Sequence, residues 1–262
     1  MGRIEITGRD IVGLRADNPG PFTLTGTNSW ILSRDPAWLI DPGPAQGLHV
    51  AALARELESR GGLGGIALTH DHADHSEAVP AMRELFGDVR LGAARGDVDA
   101  RLTDGERFGP LQALATPGHS PDHLAFVLAD VIFTGDAVLG AGSVFISPHP
   151  GALAGYLEGL ERLRRHAPAL LLPGHGPVVE EPDAKLAEYV SHRLDRERRL
   201  ESALAAGART VKQLLDEGWS DAPRELRPAA AWTLAAHLDK LEAEGRLPSG
   251  VQRPELPTDL AG

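Results

Sequence analysis

The 262-residue sequence contains no cysteine. Disulfide bonds, thiolate metal sites and cysteine nucleophiles are therefore excluded, and any bound metal must be held by nitrogen and oxygen ligands. No apolar run approaches the roughly 18 residues that a transmembrane helix requires, so we expect no membrane association. The first residues, MGRIEITGRD, place no apolar stretch behind a basic residue. We therefore expect no signal peptide and a cytoplasmic location.

Basic residues are also scarce, with 26 Lys and Arg against 37 Asp and Glu and a net charge of -11. A broad nucleic-acid-binding face requires clustered Lys and Arg, so this balance argues against one. Hydrophobic residues make up 42% and charged residues 24%, which is ordinary for a globular protein with a real core. The length suits one large domain, or one domain with a small appendage.

Strand and helix patterns alternate over residues 1–182. Short apolar strands, each followed by a polar turn, are predicted at 38–40, 66–69, 131–134 and 170–173. Further extended segments are predicted at 3–14 and 22–34, and helices at 48–60, 77–86 and 151–166. This alternation predicts an α/β layered domain whose functional residues lie on loops at strand ends.

The composition changes near Pro182. Three helices are predicted at 183–205, 210–218 and 228–244, and a short β-like segment begins at Gly245. This pattern resembles a winged-helix module, so residues 183–262 are predicted to form a small C-terminal domain. The arginines of 193–199 either line a basic path or belong to a solvated helix face.

The strongest chemical signal is Thr69–His75, THDHADH, with three histidines and two aspartates directly after a predicted strand. The spacing of His70 and His72 lets both imidazoles point one way from an extended turn, while Asp74 and His75 face a neighbouring position. Imidazole and carboxylate ligands suit zinc, and also iron or manganese. This segment therefore predicts a metal site.

Three more metal-type residues each follow an apolar segment: His119 in TPGHSPDH, Asp136 in FTGD and His175 in PGHG. A carboxylate at a buried strand end needs a partner, because an unpaired buried charge is very costly, and a metal ion supplies one. The glycines beside His175 let the backbone approach closely. His123 is interpreted as a neighbour of the metals or a substrate-pocket residue rather than as a ligand.

Together these segments resemble the metallo-β-lactamase superfamily over roughly residues 20–180. The resemblance implies an αββα sandwich and a binuclear zinc centre with two ions per chain. The implied ligands are His70, His72 and His119 for the first metal, Asp74, His75 and His175 for the second, and Asp136 as the bridge. Asp41 is implied to orient a ligand histidine by a hydrogen bond, with a plain turn residue as the alternative.

Two features indicate which group of this superfamily the sequence resembles. The segment LTGTNSW at 24–30 and the C-terminal pattern from His237 to Gly245 resemble the lactamase-beta-like-2 group, which extends the likeness to about residue 248. Cysteine is absent from the second metal site, unlike in many true β-lactamases. Asn28 is interpreted as a substrate contact or as a residue that closes a turn.

The resemblance implies a hydrolase in which a metal-bridging hydroxide attacks the substrate, Asp74 orients that nucleophile or takes its proton, and His123 protonates the leaving group. The predicted substrate is a small molecule, an ester, thioester or lactone, with a β-lactam in the same class. The alternative is an endoribonuclease for single-stranded RNA. A nucleic-acid-binding regulator and an iron-dependent oxygenase are further hypotheses. The C-terminal module is expected to pack over the active-site rim or to form a homodimer contact.

Overall fold

The computed structural model describes residues 2–223 and 226–255. The chain forms two compact units. The first unit comprises residues 1–115, 122–142 and 168–180, and the second comprises 116–121, 143–167 and 181–262. The C-terminal domain predicted over 183–262 includes residues 224, 225 and 256–262, which lie outside the described residues.

A seven-stranded sheet in the first unit follows the chain order from β1 to β7. Its strands are β1 Gly2–Glu5, β2 Ile11–Arg15, β3 Asn28–Leu32, β4 Ala37–Ile40, β5 Leu63–Ala67, β6 Leu91–Ala93 and β7 Ala100–Arg101. The first four are antiparallel, and β4 to β7 pair in parallel. Parallel neighbours need long crossovers, and the first two of these connections contain α1 Gly47–Ser59, α2 Ala73–Ser76 and α3 Val79–Phe86.

A five-stranded sheet in the same unit has the order β12-β11-β10-β9-β8. Its strands are β8 Arg107–Phe108, β9 Leu111–Ala115, β10 Leu124–Leu128, β11 Val131–Gly135 and β12 Leu170–Pro173. All neighbours are antiparallel except β11 and β12, which are parallel. The predicted strands at 131–134 and 170–173 are therefore both present.

Both sheets contribute to one apolar core. Trp30 and Leu32 of the first sheet and Phe126 and Phe133 of the second are at most 2% exposed, and the rings of Trp30 and Phe133 lie 6.2 Å apart. A second core on the other face of the seven-stranded sheet includes Leu53 of α1 and Met82 of α3, with Leu39 and Ile66. Each buried side chain of this size contributes about 1.5–3 kcal/mol relative to exposure. The predicted α/β class is confirmed.

The predicted extended segment 22–34 is strand only in its second half. Residues 21–25 form a turn, and β3 begins at Asn28. Gly26 has φ +122°, and a Cβ there would lie 2.1 Å from the carbonyl oxygen of Ala16. The alternating apolar pattern therefore gives way to a turn that only glycine allows at this point.

Two parallel strand pairs position the conspicuous polar residues. Parallel strands end at the same edge of a sheet, and β4 pairs with β5 as β11 pairs with β12. Asp41 directly follows β4, and His70 lies three residues beyond β5. Asp136 directly follows β11, and His175 lies two residues beyond β12.

The second unit is helical: α4 Ala152–Arg165, α5 Pro182–Ala205, α6 Val211–Gly218 and α7 Arg227–Ala243. Leucines of α5, α6 and α7 form its core, including Leu200, Leu214 and Leu234, each 0% exposed. Thr210 begins α6 with a capping box to Gln213. No strand follows α7 in residues 244–255, so the β-like segment predicted from Gly245 is not observed there. None of the described helices combines the length and apolarity needed to cross a membrane.

Candidate metal centre

Three imidazoles from the loop after β5 lie side by side. The ring of His70 is 4.4 Å from that of His72 and 4.3 Å from that of His75, measured between centroids. His70 is 2% exposed and His75 is 0% exposed. The helix α2 begins directly after His72, which turns Asp74 and His75 onto the first turn of that helix. The close grouping predicted from the spacing is therefore present.

Asp41 holds this loop from β4. Its Oδ1 accepts the backbone N–H of Thr69 at 2.8 Å, and its Oδ2 accepts the Thr69 hydroxyl at 2.7 Å. The same Oδ2 lies 2.9 Å from Nδ1 of His75. A carboxylate only accepts, so Nδ1 of His75 carries the proton and its Nε2 offers a lone pair. The predicted hydrogen bond between Asp41 and a histidine is present, with His75 as the donor, and the plain-turn alternative is wrong.

Thr69 is a residue whose role the sequence did not reveal. Its hydroxyl donates to Asp41, so its oxygen accepts from Nδ1 of His70, 3.0 Å away. That bond fixes the His70 tautomer, with the proton on Nδ1 and a lone pair on Nε2. The available signal was the position of Thr69, directly before the first histidine of the motif.

Imidazole and carboxylate donor atoms converge beside this loop. Nε2 of His175 lies 3.3 Å from Nε2 of His75, 3.3 Å from Oδ2 of Asp74 and 3.4 Å from Oδ2 of Asp136. Nε2 of His75 is 3.5 Å from a carboxylate oxygen of Asp74 and of Asp136. Groups that can hold a metal ion are Asp74 with His75 and His175, and His70 with His75 and Asp136. Such converging nitrogen and oxygen lone pairs fit a divalent cation.

The charges at this point favour a cation strongly. Burial lowers the pKa of His175, but the charges of Asp136 and Asp74 and the hydrogen bonds to them outweigh burial and raise it to about 10. Burial opposes ionisation of Asp74, yet the hydrogen bond to His175 and the charge of His75 lower its pKa to about 2. The two shifts have one cause, because the imidazoles and the carboxylates each stabilise the charged form of the other.

Gly174 lets the His175 loop approach the other donors. A Cβ at Gly174 would lie 2.7 Å from Oδ1 of Asp136 and 2.7 Å from Cε1 of His75. The Gly174 N–H donates to the carbonyl oxygen of Gly135 at 2.9 Å. The close backbone approach predicted for the glycines flanking His175 is therefore confirmed at Gly174.

Asn28 anchors the same loop. Its Nδ2 donates to the carbonyl oxygens of Pro173 and Gly176, each at 3.0 Å, and its Oδ1 accepts from Nε of Arg15 at 2.9 Å. The side chain is 0% exposed and lies within β3. The amide of Asn28 is committed to holding the loop that follows β12, which agrees with the interpretation that Asn28 closes a turn, and the substrate contact stays a prediction.

Two further polar residues support Asp74. The Thr27 hydroxyl donates to Oδ2 of Asp74 at 3.1 Å and accepts from Nδ2 of Asn18 at 2.9 Å. The backbone N–H of Thr27 donates to Oδ1 of Asn18 at 2.9 Å. Sequence reasoning did not identify this support. The only signal was the position of Thr27 within the LTGTNSW segment.

The two histidines of the 116–123 segment are placed differently. Nε2 of His123 accepts the backbone N–H of Asp136 at 3.0 Å, and its ring lies 5.1 Å from that of His70. Its proton is therefore on Nδ1, the one nitrogen from which it could protonate a leaving group. His119 belongs to the second unit, where its ring lies 4.7 Å from that of Phe145. Its role as a ligand stays a prediction.

Two arginines of the 193–199 segment are buried, which neither interpretation of this segment expected. Arg193 is 2% exposed and donates to the carbonyl oxygen of Val144. Arg196 is 6% exposed and donates to Gly218 and to Asp221. A basic path and a solvated face both require exposure, so neither interpretation holds for these two residues.

Comparison with known proteins shows two family matches. Residues 96–175 match the family described as Metallo-beta-lactamase superfamily, and residues 204–249 match the Beta-lactamase associated winged helix domain. The Lactamase-like protein adaB of Aspergillus niger is 30% identical over 271 residues, which cover 94% of this chain and 84% of that protein. An atrochrysone carboxyl ACP thioesterase of Aspergillus chevalieri is 32% identical over 243 residues, 84% of this chain and 76% of that one.

Among solved structures, a beta-lactamase domain protein from Burkholderia ambifaria has a TM-score of 0.80 with 22% identity. The superposition covers 95% of this chain and 91% of that chain. At this identity the likeness concerns the fold alone.

Proposed function

From the premise that this chain belongs to the metallo-beta-lactamase superfamily and is a metal-dependent hydrolase, we propose that it holds two divalent metal ions, zinc in the first place, and hydrolyses a small ester, thioester or lactone. The observation that carries the proposal is the convergence of Asp74, His75, Asp136 and His175, whose donor atoms approach to 3.3–3.5 Å. Iron and manganese accept the same ligands and are the alternatives.

The donors divide into two sets. Asp74, His75 and His175 would hold one ion, and Asp136 would bridge to the other. His70, His72 and His119 would hold that other ion, with the part of His119 resting on the family motif. When bound, two such ions supply a nucleophilic hydroxide at neutral pH and polarise the group under attack.

The chain's own residues have distinct tasks in this proposal. Asp74, with its pKa lowered to about 2, is a carboxylate at neutral pH and can orient the nucleophile or accept its proton. Thr27 fixes Oδ2 of that carboxylate. Asp41 and Thr69 fix the tautomers of His75 and His70. His123 would protonate the leaving group from Nδ1, because its Nε2 accepts from the Asp136 backbone.

A thioester is the substrate class with the most support. A relative that is 32% identical over 84% of this chain is named as a thioesterase. The RNA alternative gains nothing from Arg193 and Arg196 of α5, since both are buried and donate to protein oxygens. The net charge of -11 likewise opposes a polyanionic substrate.

Metal analysis and a substrate panel test the proposal. We expect two zinc equivalents per chain after zinc loading, and turnover of thioester, ester or lactone substrates that a chelator abolishes and zinc restores. Asp74→Ala should lose turnover. The matched control is Asp71→Ala, since Asp71 lies in the same motif but pairs with Arg95 at 2.9 Å and is half-exposed.

Other results would contradict the proposal. Cleavage of single-stranded RNA without acyl hydrolysis would favour the nuclease alternative. One iron per chain with oxygen uptake would favour an oxygenase. A salt-sensitive DNA complex without turnover of any substrate would favour a regulator.

A further inference from the structure

The loop between β2 and β3, residues 16–27, lies against two of the proposed metal ligands. Its last residue, Thr27, forms an isolated antiparallel bridge with His175. Nδ1 of His175 lies 3.4 Å from the carbonyl oxygen of Gly26. A carbonyl only accepts, so Nδ1 donates there, and Nε2 is the nitrogen that faces Asp74 at 3.3 Å. The β2–β3 loop therefore fixes the orientation of the His175 ring.

A chain of hydrogen bonds connects the same loop to the carboxylate of Asp74. The backbone N–H of Thr27 donates to Oδ1 of Asn18 at 2.9 Å, which fixes the orientation of that amide. Nδ2 of Asn18 therefore faces the Thr27 hydroxyl and donates to it at 2.9 Å. Because the hydroxyl oxygen accepts from Asn18, its single proton is directed to Oδ2 of Asp74, 3.1 Å away. The direction of each bond in this chain is thus determined.

The β2–β3 loop is itself held by hydrogen bonds. The N–H of Ala16 donates to the carbonyl oxygen of Thr27 at 2.8 Å, which closes the loop at its base. The N–H of Gly26 donates to the carbonyl oxygen of Thr23 at 2.8 Å. The Thr23 hydroxyl donates to the carbonyl oxygen of Asn18 at 2.5 Å. Thr27 is 0% exposed, so water does not compete for its hydroxyl, and a group fixed in advance loses less entropy when a ligand binds.

We infer that the β2–β3 loop sets the affinity of one metal position, the one formed by Asp74, His75 and His175, and that Thr27 is its positioning residue. The inference rests on the proposed function, in which two ions bind. A carboxylate oxygen has two lone pairs, and the Thr27 hydroxyl occupies one on Oδ2 of Asp74. The other is then directed to the side where Nε2 of His175 lies.

The other proposed metal position is supported from elsewhere. Nδ1 of His70 donates to the hydroxyl oxygen of Thr69 at 3.0 Å, and that hydroxyl donates to Asp41, which follows β4. These supports do not include the Thr27 hydroxyl. Its loss should therefore weaken the binding of one ion and leave the binding of the other unchanged.

Zinc affinities from competition with a chromophoric chelator test this difference in the full chain. Thr27→Val replaces the hydroxyl by a methyl group, and it should raise one zinc dissociation constant about 10- to 100-fold while changing the other by less than about threefold. Thr27→Ser keeps the hydroxyl and should bind both ions nearly as wild type does. Asn18→Ala removes the amide that orients the hydroxyl, and it should weaken the same ion by about three- to tenfold.

The matched control is Thr233→Val. Thr233 is 2% exposed and its hydroxyl oxygen also accepts an N–H group, but it lies on α7 in the second unit. Its substitution should leave both zinc dissociation constants unchanged, even where it lowers the free energy of unfolding. Two unchanged constants in Thr27→Val, or two constants raised equally, would overturn the inference.

A double-mutant cycle tests whether Thr27 acts through Asp74. When Asp74→Ala has removed the carboxylate, adding Thr27→Val should change the remaining zinc affinity by less than about twofold. A merely structural effect of Thr27→Val would have the same size with and without Asp74. Equal effects in the two backgrounds would therefore contradict the role of Thr27 as a positioning residue.

Failure of the proposed function gives different results. Two bound zinc ions without hydrolysis of any acyl substrate would overturn the hydrolase proposal, and the affinities would still decide the inference. A wild-type chain that binds one zinc ion would overturn the two-ion proposal. Weaker binding of that ion in Thr27→Val, with wild-type affinity in Thr27→Ser, would then support the role of the loop, and an unchanged affinity would overturn it. A chain that binds no zinc contradicts both.

Discussion

Two clusters of charged side chains differ in the partners of their carboxylates. In the histidine–aspartate cluster of the first unit, Asp41, Asp74 and Asp136 lie against the imidazoles of His75 and His175. In the arginine–glutamate cluster of the second unit, Glu197 accepts from Lys240 at 2.9 Å and from Arg246 at 3.0 Å. Arg196 pairs with Asp221 there. In the second unit permanent cations meet the acids together with the imidazole of His237, which lies 3.7 Å from Glu197, whereas in the first unit imidazoles alone meet them.

This difference separates a structural cluster from a binding site. A carboxylate paired with lysine and arginine is neutralised within the protein, and removing one partner leaves an uncompensated charge. Carboxylates grouped around imidazoles draw protons onto the rings, and a metal cation bound by the same nitrogen and oxygen atoms would take the place of those protons. Substitutions in the first cluster should therefore reduce activity, and those in the second should reduce stability.

The largest expected effect comes from Asp136→Asn. Removing the proposed bridging carboxylate should reduce kcat/KM by about 10³-fold, because two metal ions together supply several kcal/mol of transition-state stabilisation. Steady-state kinetics of the zinc-loaded protein measure this effect.

The matched control is Asp130→Asn, since Asp130 is half-exposed and pairs with Arg9. It should leave kcat/KM within about twofold of wild type. Retained activity in Asp136→Asn would contradict the distinction between the clusters.

For Glu197→Gln we expect a loss of stability rather than a loss of activity. Lys240 and Arg246 would lose their shared partner, and we expect the free energy of unfolding to fall by about 2–3 kcal/mol. The kcat of the folded fraction should change little. Urea denaturation of Glu201→Gln is the control, because Glu201 pairs with Arg246 in a more exposed setting and surface pairs contribute about 0–1 kcal/mol. Equal destabilisation by both variants would show that Glu197 stabilises the fold no more than the exposed Glu201 does.

A smaller functional effect is expected for Asp41→Asn. Oδ2 of Asp41 accepts the Thr69 hydroxyl and lies 2.9 Å from Nδ1 of His75, and an amide nitrogen there would face two donors. Loss of this kind of support typically costs 10- to 100-fold in metal affinity. Competition with a chromophoric chelator measures it. Thr69→Ser keeps the hydroxyl and should bind zinc nearly as wild type does, whereas unchanged affinity in Asp41→Asn would contradict the tautomer argument.

The sequence predicted the histidine–aspartate cluster better than the arginine–glutamate cluster. The strand ends that carry Asp41, Asp136 and His175 could be predicted because each follows a short apolar run, and the α/β class followed from the same pattern. The motif at 70–75 indicated a metal site because its residue types have few other uses at that density.

Other features depend on distant partners and could not be predicted. Asn28 finds its acceptors at Pro173 and Gly176, about 145 positions away in the chain. The burial of Arg193 depends on a loop near Val144 that no local pattern reveals. Local reasoning assigns a polar residue to solvent or to a site, whereas tertiary structure can give it a purely supporting partner.

Two buried histidines, His49 and His175, show how neighbouring carboxylates change the pKa of the same residue type. Both are buried, at 0% and 1% exposed. Nε2 of His49 lies 3.0 Å from the hydroxyl of Ser29, and burial lowers its pKa to about 4. His175 is equally buried, but Asp136 and Asp74 overcome burial and raise its pKa to about 10. The carboxylates, rather than burial, determine the direction of the shift.

This contrast predicts that His49 makes the free energy of unfolding depend on pH. His49→Gln should remove that contribution. Between about pH 6.5 and pH 4 the unfolded chain binds a proton at His49 and the folded chain does not, so the free energy of unfolding falls as the pH decreases through that window. From pH 7 to pH 4.5 the contribution of His49 should fall by about 2 kcal/mol. Urea denaturation of wild type and His49→Gln with chelator present measures this difference without a metal contribution. His166→Gln, at an exposed position, should follow the wild-type profile. If His49→Gln does so too, burial beside a hydroxyl does not keep His49 neutral, and the contrast with His175 loses its physical basis.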